Sequence, residues 1–246
     1  MYKIEWMGDK VKNFESRRGV KPFVIVDHIS AGTKSSMKYT FENPANQVSS
    51  HFDVGRDGSI WQYVRIEDTA WTQGLTVDMI QRATAPVVKD MNSNPNYYCV
   101  SIEHEGWGDN GGDGTLTEEQ FYASAWLHRY IMDYCNHTFG VNMNLSNYNV
   151  IGHFQIDPKR KPNCPGPNFP WQRLRAELAI AEKMTLKEYE MRLDYMNSGL
   201  YTTENAVRVA SRVSDLYSKL NGKWSEEAKQ KLLLIGKFMK ENDLFE

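Results

Sequence analysis

The chain has 246 residues, which allows one large domain or one domain of ordinary size with an appendage. Hydrophobic residues make up 41%, charged residues 24%, and the formal net charge is −2, so composition gives no ground for a nucleic-acid or membrane partner. Three cysteines, Cys99, Cys135 and Cys164, do not make a disulfide framework, and reduced thiols are the simpler expectation.

The N-terminal segment has no apolar core ahead of a cleavage site, and no apolar run is long enough to span a bilayer. The expectation is a chain made in a host cytoplasm without a signal peptide and without membrane insertion. Residues 1–18 alternate loosely and read as a short edge strand or an extended lead-in. Lys21 and Pro22 introduce Phe23, Val24, Ile25 and Val26, a β-branched and aromatic run that suits a buried strand. It ends at Asp27 and His28, where a rigid scaffold meets an open loop, a common place for a ligand or catalytic group. A hydrogen-bonded core histidine is the plainer alternative.

Residues 31–45, rich in Ser, Thr, Lys and Gly, read as a loop. Residues 48–64 read as a hairpin: Phe52 and Val54 alternate with polar neighbours, Arg56-Asp57-Gly58 turns the chain, and Ile60, Gln62 and Val64 return. His51 at its start is either a fourth metal ligand or, the preferred reading, a histidine packed beside a site. Residues 67–74 form a loop bearing Trp71, a ring suited to stacking on a sugar or to closing over a core. Residues 76–96 mix a short helix with a polar loop.

Residues 97–102 are a second buried-strand segment, running straight into Glu103, His104 and Glu105. A carboxylate on an apolar strand costs free energy unless something pairs with it. Strand alternation puts Glu103 and Glu105 on one face and His104 on the other. Glu103 is therefore either one half of an ion pair or a general base near a metal. Residues 107–114 form a glycine-rich rim without a phosphate-binding pattern. Thr117 and Gln120 make a capping box for a helix to about His137. In it Cys135 belongs to the core, and His128 and His137 lie on the surface.

Residues 150–170, VIGHFQIDPKRKPNCPGPNFP, hold His153 and Cys164 on one constrained loop, and imidazole with thiolate suits zinc. Pro170 and Trp171 open another helix. Beyond it, residues 185–198, 202–221 and 225–243 form three amphipathic helical patterns, with Gly199 and Gly222 between them. Residues 185–246 are thus expected to form a small all-α unit behind a first domain of residues 1–182. That first domain is expected to be α/β: a central mixed sheet flanked by helices.

His28, His153 and Cys164 leave the strands at separate points, and three protein donors with one open position is the pattern of catalytic zinc. Four stretches then carry a specific resemblance: VIVDHIS; SSHFDVGRDGSIWQYV followed by DTAWTQG; VSIEHEG; and GHFQIDPKRKPNCPGPNFPW. In this order they resemble the zinc-dependent type-2 N-acetylmuramoyl-L-alanine amidases, which share a fold with peptidoglycan recognition proteins. The resemblance covers the first two thirds of the chain and stops short of the C-terminal helices.

The resemblance implies that His28, His153 and Cys164 hold Zn2+, that Glu103 is the general base and acid, and that Lys161 steadies the oxyanion. The loop from Lys161 to Cys164 is longer than usual in the family by one residue, and Arg160 or Lys159 is the alternative to Lys161. Trp71, His51 and Arg160 are the expected substrate-binding residues. The implied reaction is hydrolysis of the amide between N-acetylmuramoyl residues and L-alanine in bacterial peptidoglycan, as in a phage or prophage endolysin or an autolysin acting at the cell wall. A non-catalytic peptidoglycan-binding module of the same fold is the alternative. A third reading makes the metal structural, with His51 or His104 as fourth ligand. For the C-terminal helices, wall binding and self-association into a homo-oligomer both stand.

Overall fold

The computed structural model describes residues 2–75, 77–108, 112–144 and 146–197. In chain order the strands are β1 (Ile4–Trp6), β2 (Phe14–Ser16), β3 (Val24–Ile29), β4 (Phe52–Val54), β5 (Ile60–Gln62), β6 (Asp68–Ala70), β7 (Cys99–His104) and β8 (Val150–Gly152). The helices are α1 (Lys34–Glu42), α2 (Val77–Ile80), α3 (Pro86–Met91), α4 (Glu118–Phe139), α5 (His153–Ile156), α6 (Trp171–Ala181) and α7 (Leu186–Asn197).

Six strands form one sheet in the order β1-β5-β4-β7-β3-β8, and β2 pairs with β6 in a second. Only the β4–β5 hairpin is antiparallel in the large sheet; its other pairs are parallel. The mixed α/β architecture expected from the sequence is the one observed. A parallel sheet needs cover on both faces, which is why β3 and β7 read as continuous apolar runs rather than alternating ones. On one face Val24, Val26, Cys99 and Ile151 meet Val87, Val88 and Ile156. On the other lies α4, whose residues from Gln120 to His128 are all buried. Each such Val or Ile contributes about 1.5–3 kcal/mol by leaving water.

Four expectations need correction. Residues 31–45 hold helix α1, not a loop. The Thr33 side chain accepts from the Ser36 N–H at 3.2 Å, and Phe41 is buried edge-on against Tyr63 with ring centroids 5.0 Å apart; this packing outweighs weak Ser/Thr helix propensity. The loop at residues 67–74 contains β6, because its backbone pairs with β2. His128 is fully buried, not on the helix surface, and its Nε2 lies 3.2 Å from Asp27 Oδ2. The capping box is half made: Thr117 Oγ1 accepts from the Gln120 N–H, but the Gln120 amide donates to the carbonyls of Val54 and Glu105 and so ties α4 to the sheet.

The chain divides into two compact units, residues 2–183 and the segment from Met184 onward. In the second, α7 matches the first of the three helical patterns; the other two fall outside the described residues. Among the described residues no helix is long and apolar enough to cross a membrane.

Candidate active site

Parallel pairing sets side chains from neighbouring strands in rows. His28 of β3 stands opposite Glu103 of β7, and Glu103 stands opposite Asp53 of β4, all on one face. The row lies near the carboxyl ends of β3 and β7, where parallel sheets open to ligands. His28 Nδ1 is 4.0 Å from Glu103 Oε1.

β8 ends at Gly152, and His153 opens the single turn α5, a helical start rather than the loop expected after the strand. A series of turns then doubles the chain back: the Asp157 N–H donates to His153 O, Lys161 N–H to Asp157 O, and Cys164 N–H to Lys161 O. The Phe154 N–H donates to Cys164 O at 2.9 Å, which fastens the end of this loop to its beginning. Cys164 Sγ accepts from the Ile29 N–H at 3.4 Å, next to His28.

The result is a cluster. One ligand atom each from His28, His153 and Cys164 lie within 4.8 Å of one another, and the two imidazole centroids are 4.4 Å apart. Burial holds both histidines well below their usual range, His153 at about 4, so each ring keeps a nitrogen lone pair at neutral pH. Burial pushes the Cys164 thiol up to about 12, with the charge of Glu103 adding to the effect. His153 Nε2 is buried with no hydrogen-bond partner among the described residues. Two neutral imidazoles, one of them with an orphaned ring nitrogen, and a thiol on one point fit a divalent, borderline-soft metal ion.

Gln73 supports this cluster, a residue that the reading of DTAWTQG does not single out. Its amide nitrogen is 3.4 Å from His28 Nε2 and 3.0 Å from Ser101 Oγ. This buried residue thus steadies the orientation of the His28 imidazole. Gln73→Leu removes the amide and keeps the backbone carbonyl. We expect divalent-metal affinity to fall about 10–100-fold by chelator competition, with little change in the melting of the metal-free chain. Equal affinity would remove Gln73 from a supporting role.

Glu103 is buried, and burial pushes its carboxyl up to about 7 against the pull of Lys161. Lys161 is exposed on the loop, yet its charge also acts on both histidines and the thiol. Arg160 is committed elsewhere, paired with Asp157 and donating to Gly74 O at 2.7 Å. His51 is fully buried. Its Nδ1 accepts from the Ser101 N–H, and its Nε2 faces Arg17 at 2.9 Å and Asp68 O at 3.1 Å. That is the packed histidine rather than a ligand, and no surface remains for substrate. Trp71 is half-buried, with its indole N–H enclosed and unpartnered among the described residues. His104 faces away from the cluster: its ring bonds His28 O and Ser124 Oγ, and so pins β3 from behind.

Residues 18–167 match the family described as N-acetylmuramoyl-L-alanine amidase, a span that contains every residue of the cluster together with Glu103 and Lys161. The chain is 30% identical over 154 residues to the 1,6-anhydro-N-acetylmuramyl-L-alanine amidase AmpD of Escherichia coli (strain K12), covering 61% of this chain and 70% of that one. It is 28% identical over 161 residues to the N-acetylmuramoyl-L-alanine amidase AmiD of the same organism, covering 61% and 51%. The solved N-acetylmuramoyl-L-alanine amidase LysC from Clostridium intestinale URNW shares the fold at 18% identity and a TM-score of 0.50, over 73% of this chain and 99% of that one.

Proposed function

Because the chain belongs to the N-acetylmuramoyl-L-alanine amidase family of hydrolases, we propose that it cleaves the amide between N-acetylmuramoyl residues and L-alanine in bacterial peptidoglycan, with zinc as its metal. The observation that carries this reading is the convergence of His28, His153 and Cys164, with Glu103 in register beside His28. A binding module has no need of a buried carboxyl at that point, and the amidase reading accounts for it.

His28, His153 and Cys164 would hold the zinc ion, which supplies Lewis acidity toward a carbonyl and a water molecule when bound. Glu103 Oε1 accepts a proton from the attacking water and returns it to the amine that leaves as the L-alanine nitrogen. A carboxyl whose proton affinity is lifted toward neutrality suits both transfers. The Lys161 ammonium, already acting on Glu103 and both histidines, balances the negative charge that develops on the lactyl carbonyl oxygen. Arg160 holds the loop to Gly74 and positions Lys161 next to it. Trp71, at the end of β6, is the aromatic we assign to the glycan.

Mass spectrometry of digested peptidoglycan tests the reaction. New L-alanine amino termini with intact glycan strands are expected; new reducing sugar ends or cut cross-bridges instead would overturn it. The finer assignment to a phage or prophage endolysin is tested by expression inside a bacterium. Lysis is expected only when a membrane-permeabilising partner is co-expressed, and lysis by the chain alone would overturn it.

We assign residues 185–246 to wall binding, with residues 1–182 as the catalytic part. Truncation after Lys183 is expected to leave turnover of a soluble muramoyl peptide unchanged and to abolish co-sedimentation with insoluble walls. A halved solution mass with unchanged wall binding would assign the segment to self-association instead. If neither quantity changes, both roles fail.

A further inference from the structure

Asp53 occupies the middle of β4 between Phe52 and Val54, and all three are fully buried. Neither Asp53 carboxyl oxygen has a hydrogen-bond partner among the described residues. An ionised carboxylate withdrawn from water without hydrogen bonds is so costly that the group takes up a proton instead. A protonated carboxyl then needs an acceptor.

The register supplies one. Asp53 stands directly opposite Glu103, one strand away on the same face. Glu103 has an orphan of its own: Oε2 is buried without a partner, while Oε1 is the oxygen 4.0 Å from His28. A single proton shared between these adjacent carboxyl groups partners one Asp53 oxygen with Glu103 Oε2. The surrounding charges decide which group carries it. Burial first, and the charge of Glu103 second, push the Asp53 carboxyl well above the usual carboxylate range, with Glu105 adding to them and Lys34 pulling back. Lys34 is itself engaged, stacked 4.0 Å over the Trp61 ring, bonded to Ser59 and 3.9 Å from Asp57. Glu103 turns its other oxygen, Oε1, toward His28 Nδ1 at 4.0 Å, whereas Asp53 has no other partner among the described residues.

We propose that Asp53 is a positioning residue: it keeps its proton, donates it as a hydrogen bond to Oε2 of Glu103, and thereby holds Oε1 toward the metal donors. No covalent step is involved; the proton stays on Asp53 through the reaction. The bond is of the short O–H···O⁻ class, stronger than a neutral pair, and it also stabilises the buried negative charge on Glu103. The inference rests on the reading of Glu103 as the base.

This arrangement carries a cost in stability. The ordinary aspartate value is 3.8, so an unfolded Asp53 is ionised at neutral pH, whereas burial in the folded chain raises its proton affinity well above that. The folded state binds the extra proton, and stability therefore falls as pH rises from about 4 toward the raised folded value. Replacing Asp53 by an apolar residue removes that penalty.

The test uses the full, zinc-loaded chain on a soluble muramoyl peptide. Asp53→Val is expected to lose about 30–100-fold in kcat, the scale of a misplaced catalytic group, with KM and zinc content unchanged. Its metal-free melting temperature at neutral pH is expected to hold or rise, which a purely structural role would not allow. Asp53→Asn restores an N–H donor and is expected to recover most of the lost kcat. The infrared spectrum of the parent at neutral pH should show a buried carboxylic-acid C=O band that Asp53→Asn removes. Parental kcat in Asp53→Val, failure of Asp53→Asn to recover activity, or absence of the acid band would each overturn the proposal. A full rate in Glu103→Gln would sink the reading of the base and leave the acid band in place. An inactive Glu103→Gln beside a fully active Asp53→Val would sink only the role of Asp53.

Discussion

Replacing Glu103 by Gln should yield a folded, zinc-loaded protein whose kcat is lower by about 10³-fold, within the 10²–10⁴-fold range of a lost general base. The side chains are isosteric, so the packing of β7 between β3 and β4 is preserved. Glu103 is not one of the three clustered donors, so metal content should not change. What disappears is an acceptor at Oε1, 4.0 Å from His28, and with it both proton transfers. An amide cannot take the proton of water at neutral pH, nor return one to the departing nitrogen. KM should stay near its parental value, since an interaction that matters only at the transition state leaves ground-state binding alone. Thermal stability should hold or rise, because the variant no longer buries a charge. The comparison is of initial rates on a soluble muramoyl peptide, at matched zinc content by elemental analysis. A variant that works at the parental rate would show that the proton acceptor is another group.

What was legible in the sequence follows from how far each signal reaches along the chain. Val24, Ile25 and Val26 announce a strand covered on both faces, because three successive apolar residues have no dry face and wet face to divide between. The donors were readable as residue types in short motifs, and Glu103 as a carboxylate where an apolar strand should have continued. Asp53 was hidden by the same kind of reasoning. In the hairpin it is merely a polar neighbour alternating with Phe52 and Val54, a pattern that fits one wet face of β4, and neither face is wet. Gln73 was hidden because its partner His28 is 45 positions away, and nothing local to DTAWTQG points at an imidazole. Helix α1 was missed because its Ser and Thr residues favour loops on their own, and the contact that stabilises it, Phe41 on Tyr63, is tertiary. His128 reads as a surface residue until α4 is laid against Asp27, which lies 101 positions away in the chain. Local pattern therefore marked the residues to which the chemistry is assigned, and only the register and the long-range packing revealed the neighbours proposed to hold them.

The largest effect on metal binding should come from Cys164→Ser. Structural zinc sites bind with about 10–16 kcal/mol over four donors, or about 3 kcal/mol each, which is about a hundredfold in affinity per donor. Serine keeps the shape of the side chain and the Ile29 N–H contact at its Oγ, but a hydroxyl does not give up its proton to a metal under conditions where a thiol does. The buried thiol pays for its own deprotonation out of metal binding, and Lys161 nearby favours the anion that results. Two imidazoles alone then make a weak site. Zinc affinity should fall at least about a hundredfold, while the metal-free chain melts as the parent does, since no packing is lost. Cys164→Asp separates loss of charge from loss of shape. A carboxylate is an acceptable zinc donor and should recover part of the affinity that serine loses, limited by the mismatch in reach, since Oδ lies one bond farther from Cα than Sγ. Retention of the parental zinc content by Cys164→Ser after dialysis against a chelator would take Cys164 out of the site, and with it the three-donor geometry on which the assigned reaction depends.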